Sequence, residues 1–146
     1  MLDAPDKAMG HAWLLLIARI LMMLLFVLFG WEKLMNFGAT ANSFAGLGLP
    51  LPKLATCVSI VVELGFGLAI VVGFLTRPLA LLLAVYTIMT GFIGHQYWSL
   101  SGTAQVDAEI NFYKNVAIAG GFLLLYLTGP GQYSVDGIHH QDRKAI

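Results

Sequence analysis

Four long apolar runs occupy most of this chain and restrict what it can fold into. Each run is about as long as one crossing of a lipid bilayer, for which a helix needs roughly 17 to 25 residues. The runs cover residues 13–29, 54–74, 78–93 and 110–127. Because a backbone in hydrocarbon must satisfy its own hydrogen bonds, each run is predicted to form a membrane-spanning helix.

The composition agrees with this prediction. Eight Lys or Arg and eight Asp or Glu among 146 residues, with 58% hydrophobic residues, leave too little charge to cover a soluble protein of this length. The chain is therefore predicted to be one domain, 1–146, an all-α integral membrane four-helix bundle in contact with lipid. We expect its helices at about 12–35, 53–75, 78–96 and 105–128. No feature indicates nucleic-acid binding.

The flanking charges predict an up-and-down bundle with both termini in the cytoplasm. The first run is expected to be retained and not cleaved as a signal peptide, because it is longer than a signal's apolar core of about 7 to 15 residues. Four crossings then leave both ends of the chain on one side. The basic residues near the run ends divide unequally between the two sides, with Lys7, Arg77, Arg143 and Lys144 on the terminal side and Lys33 and Lys53 on the other. Basic residues accumulate on the cytoplasmic side of membrane proteins.

The three connections differ in character. Residues 73–78 predict a tight turn between antiparallel helices, because a proline is well placed to open the helix that follows. The segment 36–53 mixes glycine and proline with apolar residues, and we expect it to rest on the outer interface or to cap the bundle. In the last connection Trp98 lies where an aromatic belt is expected, and Thr103 is predicted to cap the fourth helix.

Ionisable residues inside three of the four runs need an explanation. Arg19, Glu63 and Lys114 each cost roughly 2.5 to 3.5 kcal/mol near the centre of a spanning helix. Their depths differ by only about 6 to 8 Å from one to the next, and Lys33 shares a helix face with Arg19. We therefore expect a ladder of Arg19, Glu63 and Lys114 around a shared pocket. The surplus positive charge of this pocket would attract an electron-rich guest, such as a quinone carbonyl, a lipid phosphate or a small oxyanion.

Each of these residues also has a purely structural interpretation. Glu63 would then pair with Arg19 to fix the packing of two helices, while Arg19 and Lys33 would extend toward the interfaces. His95 and Trp98 would likewise be interface residues. The sequence leaves both interpretations open.

The chain is not expected to hold a metal or a flavin. Cys57 is the single cysteine, so one protomer cannot form an internal disulfide, and we expect it to be a small buried residue. His139 and His140 lie together in the tail with no cysteine near them, which is weak evidence for a metal site. No flavin, haem or iron–sulfur motif is visible, and no self-contained catalytic motif is present.

Six short motifs, in order along the chain, resemble the DoxX family of small bacterial membrane proteins. They are Gly30-Trp31-Glu32-Lys33-Leu34, Gly46-Leu47-Gly48-Leu49-Pro50, Val62-Glu63-Leu64-Gly65, His95-Gln96-Tyr97-Trp98, Phe112-Tyr113-Lys114-Asn115 with Gly120-Gly121, and Gly129-Pro130-Gly131-Gln132-Tyr133-Ser134-Val135-Asp136. The resemblance implies a multi-pass protein of the bacterial cytoplasmic (inner) membrane. It also implies a link to quinone-coupled sulfur oxidation, respiratory oxidases or oxidative-stress complexes, with which relatives have been associated.

This resemblance and the intramembrane charges lead to one functional expectation. The chain is expected to bind a quinone or similar amphipathic molecule, as a subunit of a redox-linked membrane assembly with a partner protein or a second copy. Lys114 and His95 would bond the ring oxygens, and Trp98 would flank the ring with Phe112 or Tyr113. The predicted binding residues are Arg19, Lys33, Glu63, His95, Trp98, Asn111 and Lys114. The alternative is a non-enzymatic membrane carrier, or an assembly or accessory protein for another membrane complex.

Overall fold

The computed structural model describes the backbone of residues 4–142 and the side chains of residues 12–138. Within this part of the chain four helical segments are long and apolar enough to cross a membrane, which confirms the all-α prediction with four spans. We number them spans 1 to 4, and they are Ala12–Met35, Pro52–Val72, Thr76–Ser99 and Gly102–Thr128.

The individual helices subdivide these spans and add two short elements. The α-helices in chain order are α1 (Ala4–Met35), α2 (Phe37–Gly46), α3 (Pro52–Ile60), α4 (Gly67–Val72), α5 (Thr76–Gly94), α6 (Gly102–Thr128) and α7 (Val135–Asp142). A π-helical segment, Val61–Phe66, joins α3 to α4 inside span 2, and a 3-10 turn, Tyr97–Ser99, ends span 3. The hydropathy pattern did not predict α2, α7 or the π-helical segment.

The segment after span 1 is helical for ten residues before it turns into span 2. Asn36 leaves helical geometry with φ −115° and ψ 40°, so α2 begins at an angle to α1. The new helix contacts α3 at the start of span 2. Residues 37–46 therefore form a short helix against the end of the bundle that lies away from the chain termini.

The start of span 4 differs from the prediction. The helix α6 begins at Gly102, after Ser101, so the prediction that Thr103 caps this helix is wrong. Gly102 has a φ of 65°, which a glycine adopts without steric cost, and the chain turns into the helix one residue before Thr103.

The apolar core lies in the half of the bundle nearer the chain termini. Met23, Ile70, Leu83 and Phe122 are fully buried there, and the rings of Phe26 and Phe122 lie 5.3 Å apart at an edge-to-face angle. These residues come from all four spans. The core therefore closes the bundle across its full width on this side.

The outer surface of the spans is apolar and exposed. Leu14, Leu21 and Leu124 each have 64% of their surface accessible, as expected for side chains that face lipid. Cys57 belongs to this surface, so the prediction that it is buried is wrong. In a membrane an apolar or weakly polar side chain has no need to turn inward, because lipid is as apolar as the core.

Spans 1 and 2 approach each other through glycine. A Cβ atom at Gly30 would lie 2.6 Å from the backbone nitrogen of Leu64, so no other residue fits between the two backbones without displacement. A Cβ atom at Gly67 would lie 3.3 Å from the Val27 side chain, about one turn further along the same contact. This close packing brings Lys33, one turn beyond Gly30, beside the π-helical segment of span 2.

Candidate functional site

Glu63 is the centre of a hydrogen-bonded cluster between three spans. Its Oε2 atom lies 2.6 Å from Nζ of Lys33 on span 1, and its Oε1 atom accepts a 2.7 Å hydrogen bond from the Tyr86 hydroxyl on span 3. Glu63 is nine residues from the end of span 2 at Val72, which places it about 14 Å into the bundle at 1.5 Å per residue. We call Lys33, Glu63 and Tyr86 the Glu63 cluster.

The backbone around Glu63 is not a regular α-helix. The π-helical segment Val61–Phe66 contains Glu63, and such single-turn widenings of a helix occur frequently at functional sites. The inserted residue rotates the side chains beyond it relative to an ideal helix. Thr56, Ser59, Glu63 and Gly67 are nevertheless all buried, so one face of span 2 points inward on both sides of the segment.

The Glu63 cluster balances its own charge. The side chains of Lys33 and Glu63 are 22% and 10% exposed, so both have lost most of their solvation. Removing two ions from water costs several kcal/mol each, and their attraction offsets this only when the geometry is good and further hydrogen bonds are made. The Tyr86 hydroxyl supplies that further bond. Lys33 Nζ also lies 5.8 Å from the centre of the Phe29 ring, where the ring face attracts a cation.

Arg19 binds at a different place from the one predicted. Its guanidinium donates to the backbone carbonyls of Val71 at 3.2 Å, of Tyr133 at 2.7 Å and of Pro130. Among the described residues the ladder from Arg19 through Glu63 to Lys114 is therefore not formed. The physical reason is that the last carbonyls of a helix have no partner within it, and Arg19 reaches those at the end of span 2 and after span 4.

The segment after span 4 is fixed against the turn between spans 2 and 3. The two carboxylate oxygens of Asp136 accept hydrogen bonds from the backbone N–H groups of Leu75 at 3.0 Å and Thr76 at 2.9 Å, at the start of span 3. The N–H of Asp136 donates to the Gly73 carbonyl at 2.9 Å. We call residues 129–136 the tail segment. Hydrogen bonds of Arg19 and Asp136 attach it to the bundle, so this motif has a structural role.

Lys114 lies apart from the Glu63 cluster. Its side chain is exposed, and its Nζ atom lies 3.4 Å from Oδ1 of Asn111 on the same helix. Gly121, two turns along the same side of span 4, packs against Met22 of span 1. Lys114 therefore lies on the side of span 4 that borders span 1.

His95 and Trp98 lie at the end of the bundle away from the termini. His95 is partly buried and follows α5, and Trp98 belongs to a group of rings in which the centres of Trp98 and Phe112 are 6.0 Å apart. Phe112 also contacts Phe92 at 5.0 Å. The structure brings Trp98 and Phe112 together as rings that contact one another, and Phe92, the span 3 member of this group, lies six residues, under two helical turns, from Tyr86.

Sequence reasoning paired Glu63 with the wrong cation and missed Tyr86. A tyrosine in an apolar run resembles an interface aromatic, and no pattern in hydropathy distinguishes one that bonds a buried carboxylate. One signal was available in the sequence. Both oxygens of a buried carboxylate need hydrogen-bond donors, so a hydroxyl or amide donor on a neighbouring span could have been predicted.

Comparison with known proteins finds one family model and two similar bacterial membrane proteins. The family model described as DoxX matches residues 14–96. Inner membrane protein YphA of Escherichia coli is 51% identical over 131 residues, which cover 90% of this chain and 94% of that protein. Inner membrane protein YqjF of the same organism is 44% identical over 124 residues, which cover 83% and 88%.

A eukaryotic protein also shows similarity. ER-derived vesicles protein ERV29 of Saccharomyces cerevisiae is 29% identical over 131 residues, which cover 90% of this chain but 34% of the yeast protein. No solved structure shows a significant match.

Proposed function

Because this chain belongs to the DoxX family and its bacterial relatives are inner membrane proteins, we propose that it binds an amphipathic molecule with a polar, electron-rich head, such as a quinone, at the Glu63 cluster. In this proposal the chain is one subunit of a redox-linked membrane assembly, and a partner protein supplies or accepts the electrons. The chain itself contributes binding, orientation and hydrogen bonds.

The observation that carries the proposal is the position of Glu63. Both of its oxygens are bonded to side chains from two other spans, and it lies in a π-helical segment about halfway along span 2. An intramembrane carboxylate is by default a candidate for function, since an apolar residue would pack there at lower cost. The π-helical segment at the same position is a second feature that occurs frequently at functional sites.

The chemistry of the cluster suits a ring that carries oxygens. Lys33 has three donors and uses one for Glu63, so a second can reach a ring carbonyl. A carboxylate oxygen has two acceptor positions, so Glu63 can accept from the hydroxyl of a reduced ring without releasing Tyr86. Lys33 is the more exposed member of the ion pair, which makes it the first contact for a molecule arriving from lipid.

Lys114 and Asn111 extend the same side of the bundle. Lys33 lies three turns beyond Met22 on the same face of span 1, and Lys114 lies two turns beyond Gly121 on the same side of span 4. Because Met22 packs against Gly121, both lysines border the space between spans 1 and 4. We propose that this space admits the ligand, with Lys114 attracting its electron-rich head and the aromatic rings around Trp98 and His95 bordering its far end.

The experiment measures the ligand directly. Protein purified in mild detergent is extracted and its quinone is quantified per chain, and binding of a short-chain quinone is then titrated. We expect about one quinone per chain in the wild type. In Glu63→Gln and Lys33→Gln the dissociation constant for the quinone should be at least tenfold larger. The matched control is Glu32→Gln, an exposed carboxylate on span 1, which should bind like the wild type. A wild type that binds no quinone at saturating concentration would contradict the proposal.

The second candidate is a non-enzymatic membrane carrier or an assembly protein for another membrane complex. The similarity of this chain to part of a yeast protein named for ER-derived vesicles is the observation that favours it. In that case the chain would co-purify with another membrane protein or move a solute across liposomes. Glu63→Gln would then disturb partner binding or flux, while quinone content would be zero throughout.

A further inference from the structure

Polar side chains collect in the bundle interior beyond the apolar core, on the side away from the chain termini. The core itself contains Met23, Leu83 and Phe122. The buried or partly buried polar residues beyond it include Thr56, Ser59, Glu63, Tyr86, Thr87, Asn111 and Asn115 on spans 2, 3 and 4, with Lys33 on span 1. The buried polar residues on the terminal side of the core include Arg19, Thr76 and Ser134, so the core separates two polar regions.

Thr87 is the sharpest member of this group. It is 2% exposed, and its hydroxyl oxygen has no hydrogen-bond partner within the described part of the chain. A buried threonine on a helix usually bonds the carbonyl four residues back, as Thr56 does to Pro52 at 2.9 Å. An unpaired buried hydroxyl costs roughly 1 to 3 kcal/mol unless water or a ligand satisfies it.

Further polar groups lie within about one turn of Thr87 along span 3. Gly91 lies one turn from Thr87 on the same face of span 3, and a Cβ atom there would lie 3.3 Å from the side-chain nitrogen of Asn115. Tyr86, the neighbour of Thr87 in sequence, points about 100° away around the helix and bonds Glu63. A buried water needs two to four polar partners, and the Thr87 hydroxyl and the Asn115 amide are candidates for two of them.

The distal end of the bundle also carries an opening. A depression of about 250 Å³ lies between the end of α2 and the connection from span 3 to span 4. Its lining residues are Gly46, Leu47, Ile93, Gly94, Gln96, Ser99 and Leu100. From Gly94 to Thr87 the distance along span 3 is about 10 Å at 1.5 Å per residue, which three or four waters in a row would cover.

We propose that water enters the bundle at this depression and reaches Thr87 and the Glu63 cluster, forming a half-channel that the apolar core closes toward the chain termini. The Glu63 cluster would then be in contact with water from one side of the membrane only. This inference goes beyond ligand binding and holds whether or not a quinone binds at Glu63. The other buried hydroxyl that lacks a partner in the described structure, that of Thr76, lies at the terminal end, beyond the core, and is not part of the path.

Cysteine accessibility tests the path and its direction. In a Cys57→Ala background, Thr87→Cys is compared with Leu83→Cys, which lies one turn nearer the termini on the same face and is fully buried. A membrane-impermeant methanethiosulfonate is applied to spheroplasts and to inside-out vesicles. We expect Thr87→Cys to react at least tenfold faster than Leu83→Cys, and from the face opposite the termini only. Equal rates for the two variants, or reaction from the terminal face, would overturn the proposal.

A measurement on the unmodified protein removes dependence on the variants. Hydroxyl radicals generated from water by a short X-ray pulse label aromatic rings that adjoin water inside a protein. Tyr86 should be labelled and Phe122, which is fully buried in the apolar core, should not. Equal absence of label at both rings would show that the interior is dry and would refute the half-channel.

Discussion

At the scale of single residues, this protein satisfies two buried charges in two different ways. Arg19 donates hydrogen bonds to the backbone carbonyls of Val71, Pro130 and Tyr133. Glu63 accepts hydrogen bonds from two side chains, Lys33 and Tyr86. The sequence correctly marked both as residues that need partners, because charge inside an apolar run is costly. It could not identify those partners, since the carbonyls that Arg19 binds lie at helix ends and in an irregular tail that no periodicity places.

The pairing within the Glu63 cluster predicts strong coupling. Glu63→Gln leaves the Lys33 cation without its counterion and should lower the free energy of unfolding by about 3 kcal/mol. The double variant Lys33→Gln/Glu63→Gln should lose clearly less than the sum of the two single losses, because it leaves neither charge unpaired. Unfolding by SDS in mixed micelles measures all four proteins. Single-variant losses that add to within about 0.5 kcal/mol would show that the two side chains do not interact.

Arg19 has a role in stability that is separate from ligand binding. Arg19→Gln removes the guanidinium from three carbonyls and should cost about 3 kcal/mol of unfolding free energy in the same assay. It should also speed hydrogen exchange in α7, which follows the tail segment that Arg19 holds. Arg77→Gln, an exposed arginine at the same end, serves as the control and should change stability by less than about 0.5 kcal/mol. Unchanged hydrogen exchange in α7 would show that Arg19 does not hold the tail segment to the bundle.

At the scale of elements, helical pattern and run length were sufficient for the four spans and insufficient for what lies between and within them. An apolar run of bilayer length forms a helix in lipid, because its backbone must satisfy its own hydrogen bonds. The spans are therefore predictable. The π-helical segment Val61–Phe66 is not, because it depends on how span 2 packs against Gly30 of span 1 and on the bonds that Glu63 makes. The short helix α2 escaped notice because its glycines suggested an irregular segment.

The contact between spans 1 and 2 gives a prediction at this scale. Gly30→Ala places a methyl group 2.6 Å from the Leu64 backbone nitrogen, so the two helices must separate, at a cost of about 1 to 3 kcal/mol. Gly120→Ala, in span 4, has open space around the new methyl group and should be neutral or stabilising by up to about 1 kcal/mol. Equal effects of the two substitutions in thermal unfolding would mean that the close approach at Gly30 is absent.

At the scale of the whole molecule, the bundle has two unlike halves. An apolar core closes the bundle toward the termini, while the Glu63 cluster and the unpaired hydroxyl of Thr87 lie beyond that core. Its membrane location follows from its DoxX membership and its inner-membrane relatives. The sequence predicted a polar interior but not which part of it is polar. The position of a residue in its helix gives its depth, whereas its burial also depends on how the neighbouring spans pack around it.

The orientation of the bundle remains a prediction from the basic residues at the run ends, with both termini in the cytoplasm. A green fluorescent protein fused to the C-terminus should therefore fluoresce, and alkaline phosphatase at the same point should be inactive. The same enzyme inserted after Gly48, between spans 1 and 2, should be active. The reverse pattern of activities would place the Glu63 half-channel on the cytoplasmic side.

The most direct measurement of the central claim is solid-state NMR of the wild-type protein in lipid bilayers, with nitrogen-labelled lysine, before and after addition of a short-chain quinone. The account predicts that the Lys33 side-chain signal shifts and saturates at about one molecule per chain, that Lys114 responds with it, and that the exposed Lys53 does not. A Lys33 signal that is unchanged at saturating quinone, or that shifts no more than Lys53, would contradict it.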